Sequence, residues 1–253
     1  MLNEKAIQTN HKICLDLLDK FVEVCEKNKI NYYLAFGTCL GAVRHKGFIP
    51  WDINIDILMT LKEFEKLDKA MNNENLKDMR WCCPENGSRI FPLLMHKDSW
   101  NYETKPNVDV SVYVNAPNNS FIRNMLRILA YLNIKMYKLK NTNVNRIFPY
   151  NILKIIATLL PNAFYIGFVR ILEKIGNLSK FKHSKYKMVL LPSVWENREE
   201  LKSEWFGEKT IISNFEGRQL PILKGFHEYL TMRYGDYMKP KKWNDKGEYK
   251  YAK

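Results

Sequence analysis

Ile13, Leu17, Phe21 and Val24 recur at intervals of three and four residues, with Leu18 and Cys25 beside them, and this spacing predicts an amphipathic helix over about residues 4–28. Asn31–Phe36 reads as a short strand, and Gly37–Gly41 as a turn leading into a short helix that Gly47 ends. Beyond Pro50 the period changes to two. Asp52, Asn54 and Asp56 alternate with Ile53, Ile55 and Ile57, which predicts a strand over 52–59 with a polar row on one face and an apolar row on the other. Thr60, with Glu63 three residues on, predicts the N-cap of a helix over about 61–72. Strands are expected at Arg80–Cys83 and Arg89–Met95 around a Pro84–Ser88 turn. Another is expected at Val108–Val114, where valines alternate with Asp109, Ser111 and Tyr113, and Ala116–Ser120 then reads as a loop. Residues 121–190 read as helical, basic and apolar, broken near Pro149 and Pro161. Ile211–Phe215 predicts a strand, Gly225–Tyr234 a helix ended by Gly235, and the residues from Lys239 a basic, aromatic tail.

Strands interleaved with helices in 253 residues predict an α/β (α+β) fold, a mixed sheet flanked by helices. A catalytic core over 1–118, a basic helical subdomain over 119–190 and a C-terminal part completing the core over 191–253 are expected. The net charge of +13 sharpens that division. Residues 121–190 hold 13 Lys and Arg against the single acid Glu173, so the basic excess belongs to the helical segment. The five cysteines are odd in number and form no Cys-x-x-Cys pair, which argues against a disulfide framework or zinc site and for a reducing, cytoplasmic setting. The N-terminus lacks the apolar run of a secretory signal, and the least polar stretch, 155–169, is shorter than the roughly 20 residues of a spanning helix.

The chemistry concentrates in residues 36–56. A row of Asp52, Asn54 and Asp56, joined by Asp109 from the polar face of a second strand, offers oxygen ligands of the kind that suit Mg²⁺ or Mn²⁺ handling a phosphate. Gly37 permits close backbone approach and Thr38 adds a hydroxyl, in a turn whose amides open a helix, a natural phosphate cradle. Arg44, His45 and Lys46 follow, and a guanidinium binds phosphate oxygens in pairs.

The block Gly37–Asp56, GTCLGAVRHKGFIPWDINID, resembles the signature of the LicD family, which includes phosphocholine transferases of bacterial surface glycans together with fukutin and fukutin-related protein. Asn107–Val110 resembles the family's later strand aspartate, and Phe215–Arg218 and Tyr234–Met238 its C-terminal signatures. The resemblance implies a nucleotidyltransferase-like fold and transfer of a phospho-alcohol, typically phosphocholine from CDP-choline, to a hydroxyl of a cell-surface glycan or its lipid-linked precursor. By position it implies Gly37 and Thr38 at phosphate, Asn54 and Asp56 at a Mg²⁺ or Mn²⁺ ion with Asp109 as third carboxylate or as acceptor of the hydroxyl's proton, and Arg44 and Lys46 offsetting phosphate charge. Tyr234–Tyr237, including Asp236, would line the nucleotide or choline pocket. A quaternary ammonium is attracted by aromatic faces, for which Trp51, Trp81, Tyr113, Trp205, Tyr234 and Tyr237 are candidates.

The chain departs from the family pattern at Ile53 and Asn54, where acids are usual. Ile53 falls in the apolar row, but Asn54 offers a neutral oxygen in place of a charged one, which predicts a weaker metal site with Asp52 as a compensating carboxylate. Two other readings stand beside the transferase: a nucleotidyltransferase acting on RNA, which would use the basic segment but is opposed by the Arg44–Trp51 block, and a nucleotide-binding protein impaired by Asn54. The basic helices are further expected to adsorb to an anionic inner membrane face through Leu126, Ile128 and Leu129. Nucleic acid is not the expected partner.

Overall fold

Cys14, Leu17, Leu18, Phe21, Val24 and Cys25 form the buried stripe of α1 (Glu4–Lys27), and burial of a side chain such as Phe21 is worth about 1.5–3 kcal/mol. The structure is a computed structural model and describes residues 4–83, 92–140, 150–176, 178–189, 200–207 and 210–240. After α1 come β1 (Tyr33–Leu34), α2 (Phe36–Arg44), β2 (Ile55–Thr60), α3 (Leu61–Asn73), β3 (Met79–Cys82), β4 (Leu93–His96) and β5 (Asn107–Ala116). Then follow α4 (Ser120–Lys140), α5 (Tyr150–Leu159), α6 (Asn162–Gly176), β6 (Tyr186–Val189), β7 (Leu201–Lys202), β8 (Ile211–Phe215), β9 (Arg218–Ile222) and α7 (Phe226–Tyr234). The class is α/β, with a mixed sheet flanked by helices.

The chain divides into two units. The first comprises Met1–Cys82, Pro92–Ser111 and Glu204–Lys253, with strand order β3-β4-β5-β2-β1-β9-β8. Its described pairings are antiparallel except β1 with β9. Within it α2 packs on β2, β8 and α7, while α3 packs on β2 and α1. The second unit, Cys83–Phe91 with Val112–Ser203, contains α4–α6 and pairs the far end of β5 with β6, and β6 with β7.

Several elements form as their sequence requires. The Thr60 side chain accepts the Glu63 N–H at 3.2 Å and so caps α3. In β5, Val108, Val110 and Val112 are buried while Asp109 and Ser111 stay half-buried on the opposite face. Other elements differ from expectation. The strand after Asn31 is only Tyr33–Leu34, because Phe36 already begins α2, and Gly37–Thr38 is the first turn of that helix rather than a turn before it. Asp52, Ile53 and Asn54 lie outside β2. The Asp52 N–H donates to the Ile49 carbonyl at 2.9 Å and its carboxylate accepts the Ile53 N–H at 3.0 Å, a local turn that takes these residues off the ladder. Within the stretch read as helical, Tyr186–Val189 is a strand. Phe215-Glu-Gly-Arg218 is a two-residue hairpin whose Glu216 and Gly217 both take positive φ, 51° and 80°, the left-handed pair such a turn demands. The Pro84–Ser88 turn, the Pro149 break and the tail from residue 241 fall outside the described residues.

Candidate active site

Three carboxylates and one amide meet near the start of α2. Asp56 on β2 and Asp109 on β5 are held by neighbouring strands of the first unit. Between them lies Asn54, whose Nδ2 donates to Asp56 Oδ1 at 3.0 Å and to Asp109 Oδ2 at 3.3 Å. An amide placed between two carboxylate oxygens turns its N–H₂ toward them, since its own oxygen can only accept. The Asp56 N–H in turn donates to the buried Thr38 hydroxyl at 2.8 Å, and the Asp56 carbonyl accepts the Ala35 N–H at 2.9 Å, so α2 and β2 are tied at this point.

Asp52 completes the group. A Cβ on Gly37 would stand 2.5 Å from Asp52 Oδ2 and 3.8 Å from Asp56 Oδ2, so glycine is what lets these carboxylates approach the first turn of α2. Burial pushes the Asp52 carboxyl up to about 6, partly opposed by the N–H groups of Ile53 and Asn54. The Asp52 carbonyl accepts from His11 Nε2 at 2.7 Å, and the His11 ring stacks on Phe48 with centroids 4.0 Å apart. Just before Gly37, Phe36 has a φ of 44°, rare for a bulky residue; its N–H donates to the Tyr229 hydroxyl at 3.1 Å.

Arg44 and Lys46 lie at the opposite end of α2. Arg44 Nη1 donates to the Tyr237 carbonyl at 2.7 Å and its Nε to His45 Nε2 at 2.9 Å. Its Nη2 is buried with no hydrogen-bond partner among the described residues. Lys46 has a φ of 60° and its carbonyl accepts the Glu216 N–H at 2.9 Å. Glu216 Oε1 accepts the Phe48 N–H at 3.0 Å, and it packs so closely on Gly47 that a Cβ there would lie 2.0 Å away. The Tyr234 hydroxyl accepts from Arg233 Nε at 3.1 Å, and Asp236 pairs with Lys239 at 2.7 Å. The structure thus brings Asp52, Asn54, Asp56 and Asp109 together with Gly37 and Thr38, and sets Arg44 and Lys46 at the other end of α2, while Tyr234 stands beside Arg233, whose guanidinium lies over the Phe36 ring at the start of that helix.

Residues 29–151 match the family described as LicD/FKTN/FKRP, nucleotidyltransferase domain. The chain is also 28% identical over 250 residues, 94% of its own length and 93% of the relative's, to the lipopolysaccharide cholinephosphotransferase LicD of Haemophilus influenzae. Residues 29–151 carry a LicD-family domain. An uncharacterized protein of Rickettsia typhi is 28% identical over 193 residues, covering 68% of this chain and 53% of that protein. One of Rickettsia prowazekii is 32% identical over 90 residues, covering 32% of this chain and 33% of that protein.

In a LicD-family domain the donor set invites a test against a divalent ion. Among the described residues no three His, Cys, Asp or Glu side chains converge on a point that could hold a metal ion. Two carboxylates do converge, on the point now filled by the Asn54 nitrogen. Mg²⁺ typically takes one or two carboxylates and completes its shell with waters and substrate phosphates, so Asp56 and Asp109 fit such an ion, while Asn54 serves it only by turning its oxygen inward. Of the aromatic candidates, Trp81, Tyr113, Trp205 and Tyr237 are buried, while Trp51 and Tyr234 stay part-exposed. Residue patterns missed His11, Tyr229 and the clamping role of Glu216. His11 and Tyr229 contact the site across 41 and 193 residues of sequence, and no local period marks such contacts.

Proposed function

We propose that this chain transfers phosphocholine, or a related phospho-alcohol, from a CDP-linked donor to a hydroxyl of a surface glycan such as lipopolysaccharide. The Asp56–Asp109 pair bridged by Asn54 carries the reading, in a chain similar over nearly its whole length to a lipopolysaccharide cholinephosphotransferase. Asp56 and Asp109 would hold Mg²⁺ or Mn²⁺, which neutralises the donor's diphosphate. Gly37 and Thr38 offer the start of α2 to a phosphate oxygen. Arg44 and Lys46, at the other end of α2, would offset phosphate charge at longer range. The acceptor hydroxyl attacks the phosphorus bearing choline, the bond from that phosphorus to the CMP oxygen breaks, and CMP leaves. Asp52 takes the hydroxyl proton. With a carboxyl raised to about 6 it is ionised at neutral pH yet more basic than an ordinary aspartate, which suits a general base.

The test is CMP release from CDP-choline with Mg²⁺ or Mn²⁺ and a glycolipid extract. Asp56→Asn and Asp109→Asn should each lower the rate at least about 100-fold, the scale of losing a general acid–base or charge-stabilising group. Unchanged rates in both variants would refute the assignment of the site. Release from CDP-ribitol but not from CDP-choline would keep the reaction and change the alcohol.

A further inference from the structure

We propose that the second unit docks this chain on an anionic lipid bilayer through an outward-facing apolar stripe of α4 and the apolar surface of α5. The proposal stands independently of the transferase reading. In α4 the polarity is inverted. The face turned into the unit carries Arg123, Arg127 and Asn133 beside Leu126, Ala130 and Ile134. Arg123 donates to the Pro117 carbonyl at 2.7 Å and pairs with Glu200, while Asn133 donates to the Tyr165 carbonyl at 3.0 Å. The face turned to solvent carries Phe121, Ile122, Met125, Ile128, Leu129 and Leu132, a stripe roughly 120° wide at 3.6 residues per turn. Phe121 is 74% exposed and Ile128 55%, whereas Leu126, expected from sequence to share this surface, is 8% exposed and belongs to the interior. In α5 Ile155 and Leu159 are 61% and 78% exposed, with Ile152, Leu153 and Ile156 also open and only Ala157 fully covered among the described side chains.

Charge selects the occupant. Residues 121–190 carry 13 Lys and Arg against one acid, and that acid, Glu173, is buried and paired with Arg170. Lys135 lies at one edge of the α4 stripe and Lys140 at the other. An apolar face rimmed by cations matches a surface that is apolar within and anionic at its headgroups, which is how amphipathic helices lie in a bilayer interface. Among the described residues no single helix is long and apolar enough to cross a membrane. α5 and α6 reach that composition only together, and they are bent by 83° at the break between them, which suits lying along an interface rather than spanning it.

Co-sedimentation of the full chain with vesicles tests this. Binding should be at least tenfold tighter to equal parts phosphatidylcholine and phosphatidylglycerol than to phosphatidylcholine alone. It should weaken as salt rises from about 0.1 M to about 1 M, which shortens the screening length from ~10 to ~3 Å. Ile128→Glu with Leu132→Glu should cost at least tenfold. A second probe is a fluorophore on Ile128→Cys, selective because all five native cysteines are buried, and it should shift to the blue on the anionic vesicles. Equal binding to both vesicles with no salt effect would overturn the proposal. So would a soluble dimer that the two glutamates break, which would make the occupant a second copy of the chain, or displacement of the vesicles by single-stranded RNA.

Discussion

Asn54→Asp tests what the amide between the two carboxylates does. The substitution removes two hydrogen bonds to carboxylate oxygens, at 3.0 and 3.3 Å, each worth roughly 1.5–3 kcal/mol, so about 3 kcal/mol at the lower end suited to a part-exposed site. It also sets a third carboxylate beside Asp56 and Asp109. At about 4 Å and an effective dielectric constant of 20 each like-charge contact would cost ~4 kcal/mol, but proton uptake by one carboxyl caps the penalty. The metal-free variant should therefore lose about 3–6 kcal/mol, or roughly 6–24 °C of melting temperature for a chain of this size. A divalent ion should return much of it, since a ligand at 100 times its dissociation constant stabilises by ~2.7 kcal/mol. In the unmodified chain the ion must first displace or turn the amide, so its effect should be smaller by at least about 5 °C. Thermal melts of both proteins in chelator and in excess Mn²⁺ measure this. If the variant melts with the unmodified chain in chelator, or both respond equally to Mn²⁺, the amide is not a bridge and the reasoning fails.

Gly37→Ala should push Asp52 aside, since its Cβ would lie 2.5 Å from Asp52 Oδ2; an overpacking cost of about 1–3 kcal/mol and a loss of kcat/KM at least tenfold are expected in the CMP-release assay. Glu216→Ala should lose about 1.5–3 kcal/mol in urea unfolding by stranding the Phe48 N–H, while Glu216→Gln, which keeps an acceptor oxygen, should lose less than about half as much; equal losses would count against the clamp. His45 is held below its ordinary value of 6.5, first by burial and then by Arg44, so its neutral form is the one the fold favours. Its contribution is thus complete above the unfolded value and lost as pH falls through the folded one. Urea unfolding between about pH 7 and about pH 5 should show a slope that His45→Gln flattens, and an unchanged slope would refute the link.

What the sequence revealed depended on how local the cause was. The α1 stripe, the Thr60 cap and the valine row of β5 are set by neighbours a few residues away, and periodicity reads such causes directly. Asp52–Asn54 misled it because alternation continues through residues 52–57 while the Asp52 carboxylate binds the next N–H and pulls the chain off the ladder. β9 was hidden by Pro221, which breaks the strand pattern yet sits opposite Ile212. Arg44 was legible as a cation near the site, but its partner at the Tyr237 carbonyl is 193 residues away. The α4 stripe was legible as apolar but not in phase, so Leu126 was placed on the wrong side.

The contacts around residues 45–54 divide the carboxylates by how they are held. Asp56 and Asp109 stand on neighbouring strands, where ladder bonds fix the backbone. Asp52 stands on the connection from α2 to β2, and that connection is gripped from outside at separate points: by His11 of α1 at the Asp52 carbonyl, and by Glu216 of the β8–β9 hairpin at Phe48. Sheet-held oxygens suit a role that needs fixed distances, such as binding charge. A loop-held carboxylate with its carboxyl raised to about 6 suits one that needs a proton to arrive and depart. The two roles are therefore separable. His11→Ala should lower kcat while leaving the Mn²⁺ response of the Asp56–Asp109 pair intact, and a variant that lost both together would show that the three carboxylates act as one unit.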